Sequence, residues 1–223
     1  MFRADIITSQ PRVRYPRGVA ADEETRRLQQ IGITVVTEDD RPDVRAECLR
    51  VARRLQHAQR RIIGLLPASN DVGIPAIGVH LGLALGEVTG GTIAFVDANI
   101  RWPAISEIAV GEPVRTGPAA EDESAFVTRW LRGSLALLTP PRAGAAGAGV
   151  PQLARVIQQG GELFAQVLVD LTGFKKLGEH LAAIEMVDGV LVVGRVGQTT
   201  EGELLRLNHE LPESRNLGVL LTG

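Results

Sequence analysis

The chain has 223 residues, of which 44% are hydrophobic and 22% charged, and its formal net charge is −2. Such values are ordinary for one soluble α/β domain, and the lack of a basic excess leads us to expect no nucleic-acid partner. The single cysteine, Cys48, excludes an intrachain disulfide. No apolar run approaches the roughly 20 residues of a membrane span, so we expect a cytoplasmic protein.

Residues 1–41 are predicted to form a partly ordered N-terminal extension, with a helix candidate at 22–30 and a candidate edge strand at 31–36. Residues 42–223 are predicted to form the main domain. It opens with a helix from Asp43 to about Gln59, in which apolar residues recur close to a three-four spacing.

Strands and helices alternate through the main domain. Strands are predicted at 61–67, 90–97, 135–139, 165–170, 189–194 and 217–221, and helices after the first loop to about Gly86 and at 121–131, 151–159, 175–184 and 200–210. This alternation predicts a doubly wound, mostly parallel α/β sheet flanked by helices.

The first strand, loop and helix have the frame of a phosphate-binding loop. A working loop needs Gly-Lys-Ser/Thr, because the ammonium neutralises the phosphates and the hydroxyl ligates Mg²⁺. Here the loop and the start of the helix read Asp71, Val72, Gly73, Ile74, Pro75 and Ala76. Pro75 also lacks the N–H that such a turn would offer to a phosphate, so the frame is present without its chemistry.

Two acids end predicted strands, Asp97 and Asp170. The carboxyl ends of parallel strands form the ligand-binding edge of an open sheet, so both acids belong to the candidate site. The four histidines show no spacing typical of metal ligands, and we predict no metal site.

Several fragments, in this order and spacing, together resemble the MinD/ParA-type deviant-Walker P-loop ATPases, and within them the bacterial tyrosine kinases of capsular and exopolysaccharide synthesis. Asp97-x-Asn99-x-Arg101-x-Pro103 is similar to the family's second Walker motif, and Val167–Asp170 to its Walker B strand. Residues 187–193 and 197–200 resemble its Ala-Asp-Gly-Val strand and Gly-Lys-Thr-Thr turn. The resemblance covers residues 42–223 and implies the P-loop NTPase fold.

Glu47, Arg50 and Arg53 follow one another at intervals of three on the helix that precedes the loop. Spacing alone favours a solvated helix face with one ion pair. The resemblance implies instead the motif through which these kinases pack into rings, and hence a homo-oligomer.

The departures from the family pattern bear on activity. The family lysine falls on Ile74, the Mg²⁺-binding hydroxyl on Pro75, a loop glycine on Asp71 and the second acid of Asp-x-Asp on Asn99. The sequence holds one tyrosine, Tyr15, and so has no counterpart of the C-terminal tyrosine cluster that these kinases phosphorylate. We therefore expect no ATP or Mg²⁺ cofactor, and regard Asp97, Asn99 and Asp170 as vestigial.

The leading hypothesis is a catalytically inactive, cytoplasmic kinase-like protein that regulates or scaffolds polysaccharide synthesis or export. It would bind, for example, the cytoplasmic part of a membrane chain-length regulator and so lie at the inner membrane through that partner. One alternative is an active ATPase or tyrosine kinase with an atypical loop, which draws its cation from Arg101 or from Arg50 or Arg53 of a neighbour. Another is a MinD/ParA-like positioning factor, by analogy of fold alone.

Overall fold

The computed structural model describes residues 19–35, 41–99, 104–105, 127–139, 154, 157 and 162–223. One sheet contains seven strands: β1 (Ile62–Pro67), β2 (Ile93–Asp97), β3 (Val127–Leu131), β4 (Leu135–Thr139), β5 (Gln166–Asp170), β6 (Gly189–Arg195) and β7 (Asn216–Thr222). Their order across the sheet is β3-β4-β2-β5-β1-β6-β7. Neighbouring strands are parallel except for β3 and β4. The mostly parallel sheet predicted from the sequence is confirmed.

Helices cover both faces of this sheet. They are α1 (Val19–Gln30), α2 (Pro42–His57), α3 (Ile74–Thr89), α4 (Thr172–Leu177), α5 (His180–Glu185) and α6 (Glu201–Glu210), and a 3-10 turn covers Glu213–Arg215. Helices α1 to α3 contribute to one apolar cluster and α4 to α6 to another. No helix in the described part of the chain is long and apolar enough to cross a membrane.

The central strands are buried on both faces, so their sequences are apolar throughout rather than alternating. In β2, Phe95 belongs to the cluster under α3, whereas Ala94 and Val96 belong to the cluster on the opposite face. A Cβ atom on Gly78 would lie 2.3 Å from the Phe95 ring, so this glycine lets α3 lie close against the sheet. That close packing fixes the position of the loop that precedes α3.

The predicted helix at 121–131 is wrong. Residues 127–131 form β3, which pairs antiparallel with β4, while residues 121–126 lie outside the described residues. A turn at Arg132 and Gly133, both with positive φ, joins the two strands into a hairpin, and the pairing across the sheet outweighs the local pattern. The predicted helix at 175–184 is two helices, because Gly178 ends α4 with φ 72°.

The segment after α1 turns back instead of forming the strand suggested for 31–36, whose last residue lies outside the described residues. The Ile33 N–H donates to the Leu28 carbonyl and the Gly32 N–H to Gln29, which is a Schellman ending with Gly32 at φ 79°. Leu28, Ile33 and Val35 are buried in the same cluster as α2 and α3. The domain division after residue 41 stays a prediction.

Candidate functional site

The loop between β1 and α3 ends in a tight turn. Gly73 has φ −79° and ψ 73°, and the Ile74 N–H donates to the Val72 carbonyl at 3.0 Å, which is an inverse γ-turn. The first N–H of α3 is therefore used within the loop, and Pro75 has no N–H to offer. The helix start thus lacks two of the donors with which a helix N-terminus binds an anion.

Ile74, at the position that the sequence resemblance assigns to a lysine, points away from the loop. Its side chain is 0% exposed and belongs to the apolar cluster between α3 and the sheet. Asp71 is exposed at the outside of the loop, and residues 68–76 include no lysine or arginine. The loop segment itself therefore contributes a negative charge and no cation where a triphosphate would need one.

A lysine from elsewhere in the fold reaches the start of the loop. Lys175, on α4, donates from Nζ to the Pro67 carbonyl at 2.7 Å and also to the Ala68 carbonyl. Burial lowers the pKa of Lys175, and the nearby Glu203 partly opposes this shift. The ammonium thus ties α4 to the loop backbone, and its donors are directed at carbonyl groups of the protein.

A second contact holds the loop from the other side. The Ser69 and Thr199 hydroxyls are 3.2 Å apart, and Thr199 also accepts the Arg195 N–H at 2.8 Å. The next residue, Thr200, caps α6 in a capping box with Glu203. The turn predicted at residues 197–200 therefore braces the loop in this structure.

Asp97 and Asp170 lie side by side at the carboxyl ends of β2 and β5, where they are partners in the strand register. Each is 1% exposed. The Asp97 carboxylate accepts the N–H groups of Asn99 and Ile105 at 3.0 and 3.1 Å, and Asp170 accepts the Thr172 N–H at 2.8 Å. Asp170 thus bonds the N–H two residues further on, at the first residue of α4, in an Asx-type turn, while the N-cap position of α4 is Leu171.

Burial raises the pKa of both acids. It raises the pKa of Asp170 to about 7, with the neighbouring Asp97 adding to the shift, and it raises the pKa of Asp97 while its backbone donors oppose the change. Two carboxylates this close in a dry environment do not both ionise readily. Asp170, with a pKa of about 7, is therefore only partly ionised near neutral pH.

Three solved structures share this architecture. The BceF tyrosine kinase domain is 18% identical, with a TM-score of 0.59 over 93% of this chain and 90% of that one. The VpsO kinase domain is 15% identical, with a TM-score of 0.57 over 90% and 97%. The kinase domain of Escherichia coli tyrosine kinase ETK is 17% identical, with a TM-score of 0.52 over 78% and 75%.

The chain has the fold of a bacterial tyrosine kinase domain. The resemblance drawn from the sequence is thereby confirmed at the level of fold. No family model matches the sequence, and no curated protein matches it.

Asn99, at the position that the sequence resemblance assigns to a second acid, is a buried amide. Asn99 is 6% exposed, and a Cβ on Gly173 would lie 3.0 Å from its Cα and its Oδ1. The segment after β2 therefore packs directly on the start of α4. Arg101, the cation suggested for an active enzyme, lies outside the described residues.

The residues of the loop after β1 and of the neighbouring strand ends do not provide the groups that bind Mg-ATP. No group of three or more His, Cys, Asp or Glu suited to a metal ion occurs among the described residues. The kinase-like loop offers Ile74 and Pro75 in place of a cation and a hydroxyl, and Lys175 is bonded to the loop itself. We derive no reaction step at this site.

The three residues proposed for assembly lie exposed on α2. Arg50 donates to the Glu47 carboxylate of the same helix at 2.9 and 2.6 Å, and Arg53 is exposed. Within one chain this is the solvated ion pair that the spacing favours. Whether it also joins subunits stays a prediction.

Sequence reasoning missed Lys175 and the contact between Ser69 and Thr199. Lys175 follows Asp170 by five positions, but no motif marks it, since its role depends on a short helix that places it under the β1 end. The adjacency of β1 to β5 brings Lys175 to the loop, and the adjacency of β1 to β6 brings Thr199 to Ser69.

Proposed function

We propose that the protein is a catalytically inactive member of the kinase-like fold that scaffolds or regulates polysaccharide synthesis or export. The observation that carries this proposal is the position of Ile74. An isoleucine buried in the core, with its N–H already bonded to Val72, stands where phosphoryl transfer needs a lysine and a free backbone donor.

The proposal assigns the chain a cytoplasmic location and a place at the inner membrane through a partner. That partner is the cytoplasmic part of a polysaccharide chain-length regulator or export protein. The support comes from the resemblance of the sequence to kinases of that process, together with the shared fold.

The test is complementation of polysaccharide production in cells that lack the gene. A variant with Asp97→Asn and Asp170→Asn removes both retained acids, and we expect it to restore production to the wild-type level, because no chemistry depends on them. A matched variant with Glu47→Arg disrupts the proposed assembly face and should fail. Loss of production in the Asn variant, with normal protein levels, would overturn the proposal.

A second candidate is an active ATPase or kinase with an atypical loop. Two observations favour it: Asp97 and Asp170 are still paired in register, and Lys175 brings a cation to the loop. It predicts phosphate release that depends on both acids and on Lys175. Background rates that are the same in wild type and in Lys175→Met would remove it.

A further inference from the structure

Among the described residues, no strand pairs with the outer edge of β7, the last strand of the sheet, and β7 carries no charged side chain. Its sequence from Asn216 to Thr222 also holds no proline. Val219 and Leu221 are 45% and 54% exposed. Proteins usually protect such edges with charges, proline or a covering element, so an open, apolar edge suggests strand addition.

The backbone of β7 offers hydrogen-bonding groups to that open side. The Thr222 carbonyl accepts the N–H of Val196 at 2.8 Å, so the main-chain groups of Thr222 face β6. Because these groups alternate in direction along a strand, those of Leu221 and Val219 face outward. The outward groups therefore belong to the two residues with the most exposed side chains of the strand.

A groove adjoins the same edge on the α2 and α3 side. It has a volume of about 410 Å³, and its apolar wall includes Leu220 of β7, Val51 of α2 and Leu81 of α3. Its rim carries Arg41 and Asp43, which pair with each other at 3.0 Å, and Glu47, which pairs with Arg50. Since these rim charges are already compensated, the groove favours an uncharged apolar side chain.

We propose that β7 and this groove bind an extended segment of a partner protein, which adds to the sheet as an eighth strand and places a large apolar side chain in the groove. Main-chain bonds to Val219 and Leu221 supply affinity, and the groove supplies specificity. The inference deepens the proposed scaffolding function and rests on it for the role of the partner. Its test uses no nucleotide, so failure of the strand site and failure of the inactive-kinase proposal are distinguishable.

A second copy of this chain fits the same surface less well. If two β7 strands paired, the side chain of each on the groove face would be Leu220, which already lies against the chain's own core. Each groove would then stay empty.

The test uses acetylated and amidated peptides about seven residues long, the length of β7, with threonine at alternate positions. The remaining positions carry leucine, phenylalanine, alanine or glutamate. We expect the leucine and phenylalanine peptides to bind at least about tenfold more tightly than the alanine and glutamate peptides. Binding should also protect the amides of Val219 and Leu221 from hydrogen exchange.

Two substitutions at one position separate backbone from side chain. Val219→Pro removes the outward N–H without touching the β6 ladder and should weaken peptide binding at least about tenfold, whereas Val219→Thr keeps the N–H and should bind within about threefold of wild type. Val51→Glu should abolish the preference for leucine over alanine. The exchange measurement on the wild type decides the matter even if Val219→Pro does not fold.

Three results would overturn the proposal. One is the absence of amide protection with every peptide. Another is equal binding of the glutamate and leucine peptides. A third is wild-type protein that dimerises and protects the Val219 and Leu221 amides without peptide, which would assign the edge to a second copy of the chain.

Discussion

The loop after β1 and the residues Asp97 and Asp170 lie at the same end of the parallel strands. They differ in the charge of the side chains that the fold buries there. The loop has an isoleucine in the core where a cation would stand, and its turn is closed by its own backbone. The strand ends keep two carboxylates buried next to each other, with pKa values raised by burial. The buried isoleucine of the loop stabilises the fold, whereas the two buried carboxylates lower its stability when they are ionised.

This difference teaches that a buried apolar side chain and a buried carboxylate place different demands on the fold. Ile74 stabilises the core without a partner, whereas a buried charge needs hydrogen bonds to offset its desolvation. Asp97 and Asp170 still accept backbone N–H groups that would otherwise be unsatisfied. These bonds offset part of the cost of burying the two carboxylates.

The largest effect is expected for Ile74→Lys. Because this side chain lies in the core, the ammonium would be buried without a partner, and the free energy of unfolding should fall by more than about 3 kcal/mol. Asp71→Lys, a matched control that introduces the same residue at an exposed loop position, should change it by less than about 0.5 kcal/mol. Denaturant unfolding measures both, and a stable Ile74→Lys protein would contradict the buried position.

Asp170→Asn should stabilise the fold by about 1 to 3 kcal/mol at pH 8, because it removes a buried charge while the amide oxygen still accepts the Thr172 N–H. The folded pKa of Asp170, about 7, lies above its ordinary value of 3.8. Protonation therefore favours the folded state, and the wild type should lose stability as the pH rises from about 4 to 7. The gain in the variant should shrink toward pH 4.

Thermal unfolding across this pH range measures the effect. Asp71→Asn is the control, since this acid is exposed and its replacement should alter the stability by less than about 0.5 kcal/mol. An Asp170→Asn variant that is less stable than wild type at pH 8 would show that the carboxylate contributes net stability. The buried acid would then stabilise the fold, as Ile74 does.

The fold could be predicted from the sequence because its central strands are long apolar runs separated by turn residues. Periodicity failed where pairing decided the structure: residues 127–131 became an edge strand through the hairpin with β4. The loop and the two acids were found from their order, since Asp97 and Asp170 end strands. Lys175 was not found, because its bond to the Pro67 carbonyl depends on how α4 packs against β1, and no local sequence pattern indicates that packing.

Lys175→Met keeps most of the apolar stem and removes the donors to the Pro67 and Ala68 carbonyls. We expect a loss of about 1 to 2 kcal/mol in stability and faster hydrogen exchange at the Ala68 amide. Lys176→Met, at the exposed neighbouring position, is the matched control and should leave both unchanged. Equal exchange in the two variants would mean that the lysine does not hold the loop.

The smallest effect on stability is expected on α2. The double variant Arg50→Ala, Arg53→Ala removes an exposed ion pair and should change the stability of one chain by less than about 1 kcal/mol. We nevertheless expect the wild type to form a concentration-dependent oligomer and this variant to be monomeric. Light scattering at high concentration and low salt tests this, and a monomeric wild type would leave the solvated helix face as the explanation.

The most direct test of the central claim is isothermal titration of the wild-type protein with Mg-ATP. With Ile74 in the core, the Ile74 N–H bonded to Val72, and Lys175 bonded to the loop, the account predicts no measurable heat of binding up to about 1 mM nucleotide. Saturable binding in the micromolar range, abolished by Lys175→Met but kept in Lys176→Met, would contradict it and would favour the active enzyme.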